Sequence, residues 1–215
     1  MGKSEIIHER ILKWSKSNLR VFPWRITSDP YKILIAEIML HRTQASQVEE
    51  VYKTFVEKYP DFKSICKTGK LKILSELSRL GLKWRAKFLY QLSCTLSQDY
   101  NGIIPFDKGK LLALSGVGPY ISSAFLCFAY DSPEPILDTN TVRVIGRLFG
   151  LKITDSSRRS KKFEDLMKEL VNLGNCRLFS LTLIDFADAI CKSKNPLCNK
   201  CMLNTICDYY SDIIE

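Results

Sequence analysis

Residues 114–120 read LSGVGPY. Two glycines separated by one valine make a very short reversal, because glycine tolerates positive φ and lets another backbone come close. Pro119 suits the first position of the next helix, where its missing N–H is no loss. Upstream, Asp107 is placed to cap a helix running through Leu114. Downstream, PYISSAFLCFAY sets Ile121, Ala124, Phe125 and Phe128 on one face. The stretch therefore predicts helix, glycine hairpin, helix. Its loop and the second helix start expose backbone N–H groups that suit a phosphate. A plain αα-corner is the other reading, and the turn alone does not separate the two.

The rest of the chain extends this pattern. Helical periodicity covers 4–18, Tyr31 to Leu40, 46–58, 70–79, 83–98, 107–114, 119–130, 140–149, 160–172 and 177–190. Residues 19–30, LRVFPWRITSDP, read as irregular. Gly81, Gly102, Gly116, Gly118, Gly150 and Gly174 punctuate the gaps. No strand pair, low-complexity tract or internal repeat stands out. The fold class expected is all-α.

The 215 residues suffice for one large domain or two small ones sharing an interface. Hydrophobic residues at 46% and charged residues at 26% give the balance of a folded soluble protein. No apolar run is long enough to span a bilayer, and MGKSEIIHER is not a signal peptide. A net charge of +9 fits either a solvated basic surface or a polyanionic partner such as nucleic acid.

Two carboxylates stand out. Glu37 sits in YKILIAEIML, flanked by Ile33 and Leu34 one turn before it and by Leu40 and His41 one turn after. Buried there, it would have a raised pKa and serve as a general acid or base; otherwise it lies on a solvated side of the helix. Asp138 ends the apolar stretch of PILDTNTVRVIGRLFG, just before a helix that Thr139 or Asn140 can cap. Asp138 could itself be only another cap. Arg143 and Arg147 share a face and meet phosphate or water.

Of eight cysteines, Cys66, Cys94, Cys127 and Cys176 are scattered. Without a secretory signal they are expected to be small buried hydrophobes rather than a disulfide framework. Cys191, Cys198, Cys201 and Cys207 follow C-x6-C-x2-C-x5-C. Four thiolates this close favour a metal centre. One C-x2-C with long flanks suits a cubane iron–sulfur cluster better than zinc, although spacing leaves zinc open. Lys192, Lys194 and Lys200, interleaved with them, serve a phosphate backbone or solubility.

Taken together, the glycine hairpin, the Asp eighteen residues after Tyr120 and the terminal cysteine pattern resemble the endonuclease III and MutY family of helix-hairpin-helix DNA glycosylases. The resemblance covers nearly the whole chain. It implies two lobes with a DNA cleft between them: a six-helix barrel with the hairpin over 26–134, and a lobe of 1–25 with 135–215 holding a [4Fe-4S] cluster on Cys191, Cys198, Cys201 and Cys207. The family flips its target nucleotide out of the duplex. A carboxylate then stabilises the oxocarbenium-like sugar as the glycosidic bond breaks. Asp138 falls on that catalytic position.

FPWRITSDPYKILIAEIMLHRTQ looks more like MutY and its thymine-specific relatives than endonuclease III, and Glu37 matches a pocket glutamate of that branch. Three departures from adenine glycosylases count: HRTQ in place of QQTQ, RLGLKWRA in place of GLGYYARA, and a chain that ends eight residues after Cys207, where those enzymes carry a further domain. With Tyr120 and LIDFADAIC, these features look like the compact G:T mismatch thymine glycosylases.

The resemblance thus implies a monofunctional, monomeric intracellular enzyme, in the cytoplasm or nucleoid, removing thymine or uracil opposite guanine in double-stranded DNA. Tyr120 would sit in the base pocket, at the place where bifunctional members carry a lysine nucleophile. Asp138 would support the sugar and orient water, and Glu37 would bind the flipped base or a water. Gly116, Val117 and Gly118 would hold a phosphate, with His41, Arg42, Gln44 and Leu82 contacting DNA. Adenine excision opposite guanine or 8-oxoguanine, and a non-catalytic iron–sulfur DNA-binding or redox-sensing protein, are the alternatives.

Overall fold

The computed structural model describes residues 1–81 and 83–214. In chain order the helices are α1 (Lys3–Asn18), α2 (Pro23–Ile26), α3 (Pro30–Leu40), α4 (Ala45–Lys58), α5 (Phe62–Thr68), α6 (Lys70–Glu76), α7 (Lys83–Asp99), α8 (Lys108–Ala113), α9 (Pro119–Tyr130), α10 (Thr139–Leu148), α11 (Lys161–Val171), α12 (Cys176–Ala189) and α13 (Asp208–Ile214). Short 3-10 turns connect some of them, and no strand occurs among the described residues. None of these helices is long and apolar enough to cross a membrane. The chain divides into two compact units, one of Val21–Tyr130 and one of Met1–Arg20 with Asp131–Glu215.

In the unit Val21–Tyr130, α3 is the central helix. Tyr31 and Ile33 through Met39 are buried, Glu37 among them. Asp29 starts the helix by accepting from Tyr31 N at 3.0 Å, with Pro30 at the first position. The Tyr31 hydroxyl donates to the Tyr59 carbonyl and the Tyr52 hydroxyl to Lys32 O, fixing α4 against α3. Helix α9 is buried from Ile121 to Phe128 on every side, not only on the Ile121, Ala124, Phe125 and Phe128 face. A helix apolar all round belongs in a core.

Two short helices here escaped the periodicity. PWRI (α2) winds within the stretch read as irregular, started by Pro23. FKSICKT (α5) is only two turns long, too short for a 3.6-residue period to show. Its signal is its ends: the Asp61 carboxylate accepts from Ser64 N at 2.7 Å, and Gly69 follows at φ 89°. Packing α5 along α7 brings the Cα atoms of Cys66 and Cys94 to 4.9 Å, and the two are joined as a disulfide. The expectation of small buried thiols therefore fails for this pair, because their proximity is made by helix packing across 28 residues. It describes Cys127 and Cys176, which are buried.

In the other unit, α1 lies on α12. The His8 ring stacks on Phe179 with centroids 4.9 Å apart, and Trp14 meets Phe186 edge-on. Asp185, 2% exposed, takes Arg20 Nη2 at 2.6 Å and Arg20 N at 2.8 Å. A buried carboxylate requires that partner, since an unpaired charge is costly to desolvate. Arg10 donates to Met202 O at 2.7 Å and so ties α1 to the cysteine-rich segment. Helix α13, which periodicity also missed, follows the last cysteine.

Candidate active site

The hairpin forms as the sequence predicts. Asp107 caps α8 by accepting from Lys110 N at 2.8 Å, and Val117 N donates to Leu114 O at 3.1 Å to close the reversal. The two glycines differ in purpose. Gly116 has φ 80°, and a Cβ there would stand 2.7 Å from Phe88 Cβ, so both conformation and space demand glycine. Gly118 has no such constraint: nothing lies within 4 Å of where its Cβ would be. That open face at the N-terminus of α9 leaves room for an anion. Val117 is buried and its N–H is used inside the turn, so it supports the loop rather than facing outward.

Beside the hairpin is a cavity of about 510 Å³ lined by Gly116, Val117, Gly118, Tyr120, His41 and Trp84, with further apolar walls. Tyr120 is half-buried in it. The His41 ring meets Trp84 edge-on at 5.4 Å, and Trp84 in turn meets Phe88. No lysine lines this cavity among the described residues. Glu37 is 4% exposed on α3, one residue before the lining residue Ile38. Its burial rules out the reading of an exposed helical glutamate. Arg42 and Gln44 are exposed, Arg42 at φ 61°. Leu82 lies outside the described residues. Trp84 and Arg85 were not singled out as site residues by the sequence; the aromatic set among cations in LKWRAKF was the available signal.

In the other unit, Asp138 itself is the N-cap of α10, in place of Thr139 or Asn140. Its backbone is extended at φ −103° and ψ −174°, which turns the carboxylate onto the helix end. Oδ1 accepts from Asn140 N at 2.8 Å and Thr141 N at 2.7 Å, Oδ2 accepts from Asn140 Nδ2 at 3.0 Å, and the Asp138 N–H donates to Thr141 Oγ1 at 2.9 Å. The carboxylate is half-buried and its orientation is fixed from three sides. Asn140 is itself held: Arg143 Nη2 donates to Asn140 Oδ1 at 3.1 Å.

Arg143 and Arg147 share a face, as read, and both donate to carbonyls of the chain around Cys191. Arg143 Nε donates to Cys191 O at 2.8 Å and Nη2 to Ala187 O at 3.0 Å. Arg147 Nη1 donates to Lys192 O at 2.7 Å and reaches Cys191 Sγ at 3.4 Å, while its guanidinium lies 4.7 Å from the Tyr209 ring centre. Both arginines clamp the chain at the first of the four clustered cysteines. Lys192, Lys194 and Lys200 are exposed.

Cys191, Cys198, Cys201 and Cys207 line one small cavity with Arg147, Phe186 and Tyr210 among its walls. Among the described residues, no group of three or more His, Cys, Asp or Glu is gathered tightly enough to hold a metal ion. The donor set nonetheless suits one. Leu203 N donates to Cys201 Sγ at 3.3 Å and Arg147 to Cys191 Sγ, the hydrogen bonds a sulfur ligand receives. Burial pushes the Cys201 thiol up to about 11 and raises Cys198 and Cys207 as well. Such thiols become thiolates when a cationic centre compensates for the lost water.

Comparison with known proteins agrees with this geometry. Residues 35–172 match the model of the HhH-GPD superfamily base excision DNA repair proteins. The chain is 39% identical to a thymine/uracil-DNA glycosylase of Methanothermobacter thermautotrophicus, over 97% of this chain and 95% of that protein. It is 35% identical to a thymine-DNA glycosylase of Aeropyrum pernix, over 98% and 97%. A solved structure of a thermostable thymine-DNA glycosylase superposes with a TM-score of 0.90 at 38% identity, covering 98% of this chain and 97% of that one. The chain belongs to the HhH-GPD superfamily of base excision DNA repair proteins.

Proposed function

We propose that the protein is a monofunctional DNA glycosylase that hydrolyses the N-glycosidic bond of thymine or uracil mispaired with guanine in double-stranded DNA, acting as a monomer. The near end-to-end likeness to thymine/uracil-DNA glycosylases carries the choice of base. Tyr120, at the hairpin and in a cavity with no lysine among its described lining residues, supports hydrolysis over imine chemistry.

In this reading the hairpin N–H groups around Gly116 and Gly118 take a DNA phosphate, and the target nucleotide leaves the stack. Glu37 contacts the extruded base or a water. As the C1′–N bond breaks, positive charge gathers on the sugar and the oriented Asp138 carboxylate stabilises it. Asn140 keeps Oδ2 aimed, and Asp138 directs a water to C1′. The base departs, leaving an abasic site in an intact strand.

Cys191, Cys198, Cys201 and Cys207 would hold a [4Fe-4S] cluster, and their thiolates would supply its iron ligands. Purified protein should then carry about four irons per chain with matching acid-labile sulfide. About one zinc per chain and no sulfide would replace the cluster with a tetrahedral site.

Duplexes containing G:T, G:U, G:A and 8-oxoguanine:A test the activity. Base release is expected from the first two, with strand breakage only after alkali. Release of adenine without release of thymine would overturn the choice of substrate.

A further inference from the structure

Arg85, in the first turn of α7, is 5% exposed. All the hydrogen-bond acceptors it engages are neutral oxygens. Nη1 donates to Met39 O and, at 2.8 Å, to His41 O; Nη2 donates to Thr43 Oγ1 at 2.8 Å and Leu80 O at 2.7 Å. Burial pulls the guanidinium below its ordinary pKa. A buried charge without a carboxylate is expensive, and it persists here because Met39 O and His41 O lie at the negative end of α3.

Three of these contacts, to Met39, His41 and Thr43, bracket Arg42. Arg42 stands between His41 and Thr43, and Thr43 N donates to Leu40 O at 3.0 Å to close a turn around it. Arg42 is exposed and left-handed, at φ 61°. A non-glycine residue held there is strained, and such strain persists when the surroundings over-determine it. Its neighbour His41 lines the hairpin cavity together with Tyr120. The backbone that carries this exposed cation, next in the chain to a residue lining that cavity, is thus held by a buried clamp.

We infer that Arg85 is a positioning residue, which holds the 39–43 turn so that Arg42 engages the DNA at the target pair while the base is extruded. The inference rests on the glycosylase reading above. It separates Arg85 from residues that merely support the fold, because a cation at the target pair matters when a paired base must be expelled and matters little when the base is already unpaired.

Single-turnover uracil release by the full-length protein tests this on two substrates, a G:U duplex and single-stranded uracil DNA. Arg85→Met and Thr43→Val are compared with wild type; the second removes one acceptor and leaves the guanidinium in place. Arg85→Met should slow the duplex reaction by roughly 10- to 100-fold, and Thr43→Val by a few-fold, since small misplacements near a reacting centre have effects of that size. On the single strand both should stay within about 3-fold of wild type. Arg85→Lys, which keeps the charge but not the fork, should recover only part of the duplex rate. Equal loss on both substrates, or no loss on either by Thr43→Val and Arg85→Met, overturns the positioning role. Wild type that releases no base from either substrate refutes the glycosylase reading and takes this inference with it.

Discussion

Asp138→Asn should stop base release while leaving the protein folded. The substitution is informative because the proposed chemistry would give Asp138 a second duty, separable from its N-cap role. As N-cap of α10 it needs an oxygen that accepts from Asn140 N and Thr141 N. Asparagine supplies that oxygen and caps helices about as well as aspartate. What it cannot supply is the negative charge that stabilises a cationic sugar. The amide also turns a donor toward Asn140 Nδ2, which donates to Oδ2 in the native protein. Losing that one hydrogen bond should lower stability by about 0.5–1.5 kcal/mol. The rate of uracil release from a G:U duplex should fall by roughly 10²- to 10⁴-fold. Single-turnover kinetics, thermal unfolding and duplex binding on the same preparation distinguish the two duties. A variant that binds DNA and retains a rate within about 10-fold of wild type would remove Asp138 from the chemistry.

Tyr120→Lys should create a new activity. Tyr120 heads α9 just after Pro119 and opens into the cavity beside the hairpin. A phenol cannot form an imine with C1′; a primary amine at the same place can, by displacing the base and then opening the sugar ring, with O4′ leaving C1′ as a hydroxyl. The apolar walls around it, with Ile121 buried and Trp84 and Phe88 alongside, disfavour an ammonium and so favour the nucleophilic free amine. The expected product is a borohydride-trapped protein–DNA adduct and strand cleavage without alkali, at least ~10-fold above the background of the native protein. Efficient trapping by the unmutated protein would show that Tyr120 is not the reason for monofunctional chemistry.

Local chemistry carried much of this protein's reading. The hairpin was legible because a two-glycine turn, a proline at a helix start and an aspartate cap act over a few residues, and those same contacts appear at Asp107, Gly116 and Pro119. Asp138 was legible as a residue just before a helix and as one of three candidate caps. Sequence favours Thr139 and Asn140 as readily; an extended backbone at residue 138 decided it. Glu37 was ambiguous for a like reason: an apolar helix with one carboxylate fits a solvated side or a buried one, and only the packing around α3 chose burial.

What stayed hidden depends on residues far apart in the chain meeting. Arg143 and Arg147 read as surface cations until the Cys191 segment folded onto them across more than forty residues. Cys66 and Cys94 became partners because α5 runs along α7. Arg85 reads as one more basic residue in LKWRAKF; its four acceptors come from the end of α3, the turn after it and the Ser78–Leu80 turn. The sequence by itself determined the longer helices, the hairpin, the family and the four clustered thiols, all of which rest on spacing along the chain. The tertiary structure alone decided which charges are buried, because desolvation and its compensation depend on what packs around a group and not on what precedes it.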